Sequence, residues 1–401
     1  MSPVKSDPSS AKEHAILADR VFDGHRWHAE AAVIIRGGRI VRIGPQNEVP
    51  KDLARTRLPK ATFLAPGFID LQVNGGGGVL FNETPTVEGI AAILASHRRF
   101  GTTSILPTVI TDSPRKLAAA LAAAKAANAS LPGAVGIHVE GPFIDPRRRG
   151  AHPEQWIRTM SEKDAEALIE ARSGAMVTTV APSNVSTALI AKLSRAGVVV
   201  SIGHSDCTAE EAKAAFDAGA GAVTHLYNAM SQLAHRAPGL VGAALADPRI
   251  VCGLIADGLH VHETAARAAL RAKGADAIAL ISDAMSPAAG GPQVYELQGR
   301  RVIQKGMQIT LEDGTLAGAA ITLLDALRYV TGTLGVDLGS ALKMTTLVPA
   351  RLLKLDDRIG RLGVGWRADC VHLGDDLSLL GVWVGGEEAE RASSPGRSIG
   401  G

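Results

Sequence analysis

The sequence predicts a (β/α)8 TIM-like barrel of the α/β class, joined to a small β-sandwich domain built from both chain termini. Three observations predict it. Short apolar runs alternate eight times with Ala-rich helical patterns through the middle of the chain. Both ends carry β-branched strands punctuated by Gly instead. The far ends of the central runs, where a barrel gathers its reactive side chains, are rich in His, Glu and Asp.

The elements follow in order. After a polar leader, Ala15 to Ile43 reads as short strands, with Gly37-Gly38 as a turn between two β-branched segments. The eight central runs are Gly67–Val73, Thr103–Thr108, Ala134–Glu140, Met176–Ala181, Val198–His204, Ala222–His225, Val251–Ala256 and Ala277–Ser282. Helices are expected over Val87–Arg99, Pro114–Ala127, Glu162–Ala171 and Thr208–Ala218, the last opened by Thr208 and Glu211 as a capping box. Short strands return from about Ile359 to Gly386, and Glu387 to Gly401 reads as a loose tail. The expected division is residues 1–65 and 356–401 for the sandwich and 66–355 for the barrel. A doubly wound sheet fits less well, because Gly-x-Gly-x-x-Gly after a first strand is absent and Gly75 to Gly78 lacks the Lys-Ser/Thr of a phosphate loop.

Composition narrows the function. Of 401 residues, 46% are hydrophobic and 20% charged, the balance of a globular chain with a sizeable core. Lys and Arg number 42 against 40 Asp and Glu, so the net charge of +2 offers no footprint for a nucleic acid, and 3% aromatics offer few stacking platforms. No apolar run approaches the roughly 18 to 20 residues that span a bilayer, and Met1 to His14 lacks the apolar stretch of a signal peptide. Cys207, Cys252 and Cys370 lie far apart and form no Cys-x-x-Cys pair. A protein of the reducing cytoplasm, with neither nucleic acid nor membrane as partner, is expected.

The chemistry lies at the strand ends. Glu140, His204 and His225 end three different runs, and one carboxylate with two imidazoles is a catalytic zinc set with a fourth position open for water. The same donors suit other divalent metals, so zinc is a preference. A lone histidine of this kind is as readily a hydrogen-bonded core residue; three ligands at the equivalent end of three strands are harder to read that way. Asp283 ends the eighth run facing the same mouth, as a general base towards water or as a cap of the following turn. His138, two residues before Glu140 and on the same strand face, reads as a supporting or core histidine.

Six segments taken together resemble the N-acetylglucosamine-6-phosphate deacetylase family of the amidohydrolase superfamily: Gly67-Phe-Ile-Asp-Leu-Gln-Val-Asn-Gly75, Val139-Glu-Gly-Pro-Phe143, Gly203-His-Ser205, Thr224-His-Leu-Tyr-Asn-Ala-Met230, Ala256-Asp-Gly-Leu-His260 and Ser282-Asp-Ala284. They run in order over nearly the whole chain. The resemblance implies a metal-dependent hydrolase that releases acetate from N-acetylglucosamine 6-phosphate. It implies Glu140, His204 and His225 as metal ligands, Asp283 as catalytic acid/base and His152 as the group polarising the substrate carbonyl. Asn228, Ala229 and His260 would surround the sugar phosphate, Ala151 would also bind substrate, and Leu316, Ala317 and Gly318 would close over the acetyl group. Arg236 would reach the phosphate of a neighbouring subunit, which implies a homodimer. Asp257 either binds substrate or orients His260. Where the superfamily often has a His-x-His pair for a second metal, this chain has Gln72 and Asn74, so one divalent metal per subunit, zinc by preference, is expected near them. Two other readings stay open: a deacetylase for another N-acyl substrate, such as N-acetylgalactosamine 6-phosphate, and a catalytically dead barrel that acts as a binding protein.

Overall fold

The computed structural model describes residues 13–389. Eight parallel strands stand in sequence order as one sheet: Phe68–Val73, Thr102–Ile110, Gly136–Glu140, Ala175–Val180, Val199–Ile202, Ala222–Val223, Val251–Leu254 and Ile278–Leu280. These are the eight runs read from the sequence. All but two of their residues are buried, as parallel strands covered on both faces must be, which is why they read as continuous apolar runs. A parallel bridge between Val73 and Ala284 closes the first strand on the eighth. Ser282 N–H donates to Asp70 Oδ1 (3.2 Å) and Ser282 Oγ to the Gln72 carbonyl (3.3 Å), reinforcing that seam.

The helices between the strands start where their caps predict. Thr208 and Glu211 form a capping box before Ala209–Asp217, and Ser161 with Asp164 does the same before Glu162–Ala171. Each reciprocal cap satisfies amide donors that would otherwise lack partners at the helix start.

The terminal segments form a separate eight-stranded sheet. Thr62–Pro66 is its seam, parallel to His14–Phe22 on one side and antiparallel to Cys370–Gly374 on the other, so the N-terminal and C-terminal strands share one ladder. It encloses its own core, including Ile16, Val33, Ile40, Leu64, Cys370 and Trp383. Two expectations need correction here. The stretch 359–369 is turn rather than strand, because its glycines break the run and only a single bridge, Arg39 to Arg367, forms. Glu387–Glu388 is no loose tail; it pairs with Trp383 and Val384. The rest of that tail, 390–401, lies outside the described residues.

A feature not anticipated from the sequence follows the eighth barrel strand. Val294–Leu297, Arg300–Lys305, Gln308–Leu311 and Leu316–Ala319 make a four-stranded antiparallel sheet. It packs Leu297, Val302, Ile309 and Ala317 against Leu80, Met285 and Ile110, the last residue of the second barrel strand. The Gln298-Gly299 and Gly306 turns between alternating apolar residues were its sequence signal.

Candidate active site

The barrel delivers the site at its C-terminal mouth. Glu140 is the last residue of the third strand; His204 and His225 lie two residues past the fifth and sixth, and Asp283 three past the eighth. His204, His225 and Asp283 have φ of 45°, 31° and 48°, left-handed values that non-glycine residues rarely adopt. Strain of this kind persists where surrounding structure imposes it, and here it falls on three residues of one cluster.

The donors converge. Glu140 Oε1 lies 3.3 Å from His204 Nε2 and 3.1 Å from His225 Nε2, and the two Nε2 atoms are 3.0 Å apart. His204 Nδ1 is 2.8 Å from the Arg148 carbonyl, which can only accept, so Nδ1 carries a proton and Nε2 is the nitrogen turned towards the cluster. Tetrahedral zinc with bonds of about 2.0 to 2.2 Å needs donors about 3.3 to 3.6 Å apart. The observed triangle is within a few tenths of an ångström of that spacing, so these three residues fit a divalent metal. His152 stands at its edge, its ring centroid 4.4 Å from that of His204, and it offers a donor atom within 4.8 Å of those of Glu140 and His204. Burial pushes the Glu140 carboxyl up, but the His204 and His225 imidazoles outweigh it and hold the group well below its ordinary range. His138 is used up elsewhere: its ring nitrogens meet the Leu71 carbonyl (3.0 Å) and Thr179 Oγ1 (2.7 Å), and burial pushes its pKa down to about 4.

Gln72 bridges the two carboxylates, and Asn74 holds one of them. Gln72 Nε2 donates to both Glu140 Oε1 and Asp283 Oδ1 at 3.0 Å, and Asn74 Nδ2 donates to Asp283 Oδ1 at 2.7 Å. Burial, with the Glu140 charge adding to it, pushes the Asp283 carboxyl up to about 6. A carboxyl poised there can both accept and return a proton near neutral pH.

Across the mouth, His260 Nδ1 lies 2.6 Å from Asp257 Oδ2, while Asp257 Oδ1 accepts from the Leu259 and His260 amides at 2.8 and 2.9 Å. Burial alone would lower the His260 pKa, but Asp257 outweighs it and raises it. Asp257 is thus hydrogen-bonded to His260 and is not among the residues that line the cavity. His260 Nε2 is buried without a hydrogen-bond partner, and His260 lines the cavity.

That cavity, about 300 Å³, is of the size that takes a small molecule. It is lined by Glu140, His152, His204, His225, His260 and Asp283, and also by Asn74, Ala151, Asn228 and Ala229. Leu316, Ala317 and Gly318 roof it from the inserted sheet. Arg236 is the candidate not brought in: it lies exposed on the loop 231–238, makes no hydrogen bond or ion pair among the described residues, and does not line this cavity. Sequence reasoning missed Arg148, which acts through its carbonyl, and the apolar wall of Ile110, Met285 and Leu297. Only the third of these had a local signal, its place beside the Gln298-Gly299 turn.

The chain is similar to known proteins over most of its length. A model of the Amidohydrolase family matches residues 63–389. The chain is 41% identical over 345 residues to N-acetylgalactosamine-6-phosphate deacetylase of Shewanella sp. (strain ANA-3), covering 85% of this chain and 87% of that protein. It is 33% identical over 384 residues to N-acetylglucosamine-6-phosphate deacetylase of Haemophilus influenzae, covering 94% and 100%. The crystal structure of N-acetylglucosamine-6-phosphate deacetylase from Pasteurella multocida superposes with a TM-score of 0.91 at 32% identity, covering 94% of this chain and 99% of that one.

Proposed function

The chain belongs to the amidohydrolase family, and from that premise we propose that it hydrolyses the acetamide of N-acetylglucosamine 6-phosphate to glucosamine 6-phosphate and acetate. The observation that carries this reading is the Glu140, His204 and His225 triangle with Asp283 poised beside it in one small cavity. Those three residues would hold one divalent ion per chain, zinc by preference, because Gln72 and Asn74 present amide donors to the carboxylates where a second imidazole pair would be needed. When bound, such an ion supplies Lewis acidity to the acyl oxygen and acidifies water at its open position.

The chain's own groups supply the rest. Asp283 takes the proton of the attacking water and returns it to the departing amine, while Gln72 and Asn74 hold its Oδ1 in place. His152 donates to the oxygen of the former carbonyl as negative charge develops there. His260, whose pKa Asp257 raises against the effect of burial, binds the sugar phosphate beside Asn228 and Ala229, and Ala151 packs at the same wall. Leu316, Ala317 and Gly318 cover the acetyl group and exclude bulk water. The exposed Arg236 is free to reach the phosphate in a partner's cavity, so we read the active form as a homodimer. Among the described residues no helix is long and apolar enough to cross a membrane, and with three buried free cysteines we place the enzyme in the cytoplasm.

The galactosamine epimer is the competing substrate, because the chain is also 41% identical to an N-acetylgalactosamine-6-phosphate deacetylase. Acetate release from both 6-phosphates and from the unphosphorylated sugar decides between them. Failure on all three would remove the deacetylase reading.

A further inference from the structure

The role of His152 as a donor to the carbonyl requires that its ring carry the proton on the nitrogen facing the substrate. The residue that arranges this lies outside every motif recognised in the sequence. Thr111 follows the second barrel strand and is buried. Its Oγ1 is 2.7 Å from His152 Nδ1, and its backbone N–H approaches the same nitrogen at 3.4 Å. A backbone N–H can only donate, so Nδ1 is the accepting nitrogen and the proton of the neutral ring belongs on Nε2. Nε2 is then the nitrogen left for the cavity that His152 lines.

Thr111 is itself held from both sides. Asn82 grips the preceding residue, accepting from Ile110 N–H at 3.0 Å and donating to the Ile110 carbonyl at 3.1 Å. Gln298, at the turn of the inserted sheet, donates to the Thr111 carbonyl at 2.8 Å. Room for the hydroxyl comes from Gly141: a Cβ there would overlap Thr111 Oγ1, and its φ of +81° disfavours any side chain. An anchored donor pair facing one nitrogen of one buried ring is more than filler for the core.

Building on the deacetylase reading, we propose that Thr111 is a positioning residue for the hydrolysis, holding His152 in the Nε2–H tautomer so that a donor stays aimed at the acetamide oxygen. Thr111 does not touch substrate; it acts through His152.

The test uses the full-length, metal-loaded enzyme. Thr111→Val and Thr111→Ala remove the hydroxyl, the second adding no group against the ring, and Thr111→Ser restores it. We expect kcat to fall roughly tenfold in the Val and Ala variants with KM, metal content and Tm little changed, and Ser to recover to within about threefold of the wild type. In a His152→Ala background, Thr111→Ala should cost nothing further, since the interaction it supports is already gone. Near-native kcat in the Ala variant, or an equal loss in both backgrounds, overturns the proposal. A second readout needs no substrate: ¹⁵N NMR of histidine-labelled protein, with His152 identified from the His152→Ala spectrum, should show Nδ1 unprotonated in the wild type and a mixture of tautomers in Thr111→Ala. A protonated Nδ1 in the wild type overturns the proposal even if the enzyme acts on another substrate, whereas an inactive wild type with the expected spectrum refutes only the deacetylase reading.

Discussion

Replacing Asp283 with asparagine should separate its chemistry from its cost to the fold. Asparagine keeps the size of the side chain and an Oδ1 that can still accept from Gln72 Nε2 and Asn74 Nδ2, now at 3.0 and 2.7 Å. It removes the base. A positioned acid/base contributes about 10²- to 10⁴-fold, so kcat should fall at least that far, and further because one residue serves both half-steps. Stability of the metal-stripped chain should move the other way. Burial and the Glu140 charge raise the Asp283 pKa from 3.8 to about 6, so the folded state favours the neutral acid. Its favourable contribution is complete below the unfolded value and is lost as pH rises through about 6. Two pKa units correspond to about 3 kcal/mol above that pH. Over a chain of this length that is a Tm gain of about 4 °C for Asp283→Asn at pH 8, and little or none at pH 4. The assay is kcat, metal content and Tm at both pH values on one preparation. Near-native kcat would remove Asp283 from the mechanism. Loss of the metal would make it a ligand, and no Tm gain at pH 8 would show that burial does not strain the carboxylate.

Three further outcomes are expected. Elemental analysis should find about one divalent ion per chain, and His204→Ala with His225→Ala should lose it; two tightly held ions would contradict the reading of Gln72 and Asn74. Arg236→Ala should raise KM for the phosphorylated sugar enough to lower kcat/KM by about one to two orders of magnitude, the value of a charge-assisted bond, with metal content spared. Hybrid dimers of Arg236→Ala with Asp283→Asn should show a kcat/KM well above that of either parent homodimer if the arginine acts across subunits, and none above that of Arg236→Ala if it acts within one. KM for the phosphate ester should rise with pH as His260 loses its proton, at a pH above the ordinary histidine value because Asp257 raises that pKa. Asp257→Asn should move the rise to lower pH, and an unchanged profile would take the imidazolium out of phosphate binding.

Much of the architecture was legible in the chain itself. The eight barrel strands stood out because each is buried on both faces, so almost every residue had to be apolar or hydrogen-bonded. The helix start at Thr208 stood out because a capping box is complete within four residues. Glu140, His204, His225 and Asp283 were visible as titratable groups directly after apolar runs. Such local patterns survive in one dimension because the residues that make them are neighbours along the chain. The tertiary structure decided what depends on approach across the barrel. The 3.0 Å spacing of the two imidazoles, the left-handed backbone at His204, His225 and Asp283, and the use of the Arg148 carbonyl to fix a tautomer leave no mark on residue type. Asp257 could be assigned to His260 only once the loop showed its carboxylate turned onto Nδ1. Thr111 and His152 are 41 positions apart and Gln72 and Asp283 are 211 apart. A threonine or an amide is common on any strand end, and it becomes part of a site only when closure of the sheet puts one particular nitrogen or carboxylate within hydrogen-bonding distance.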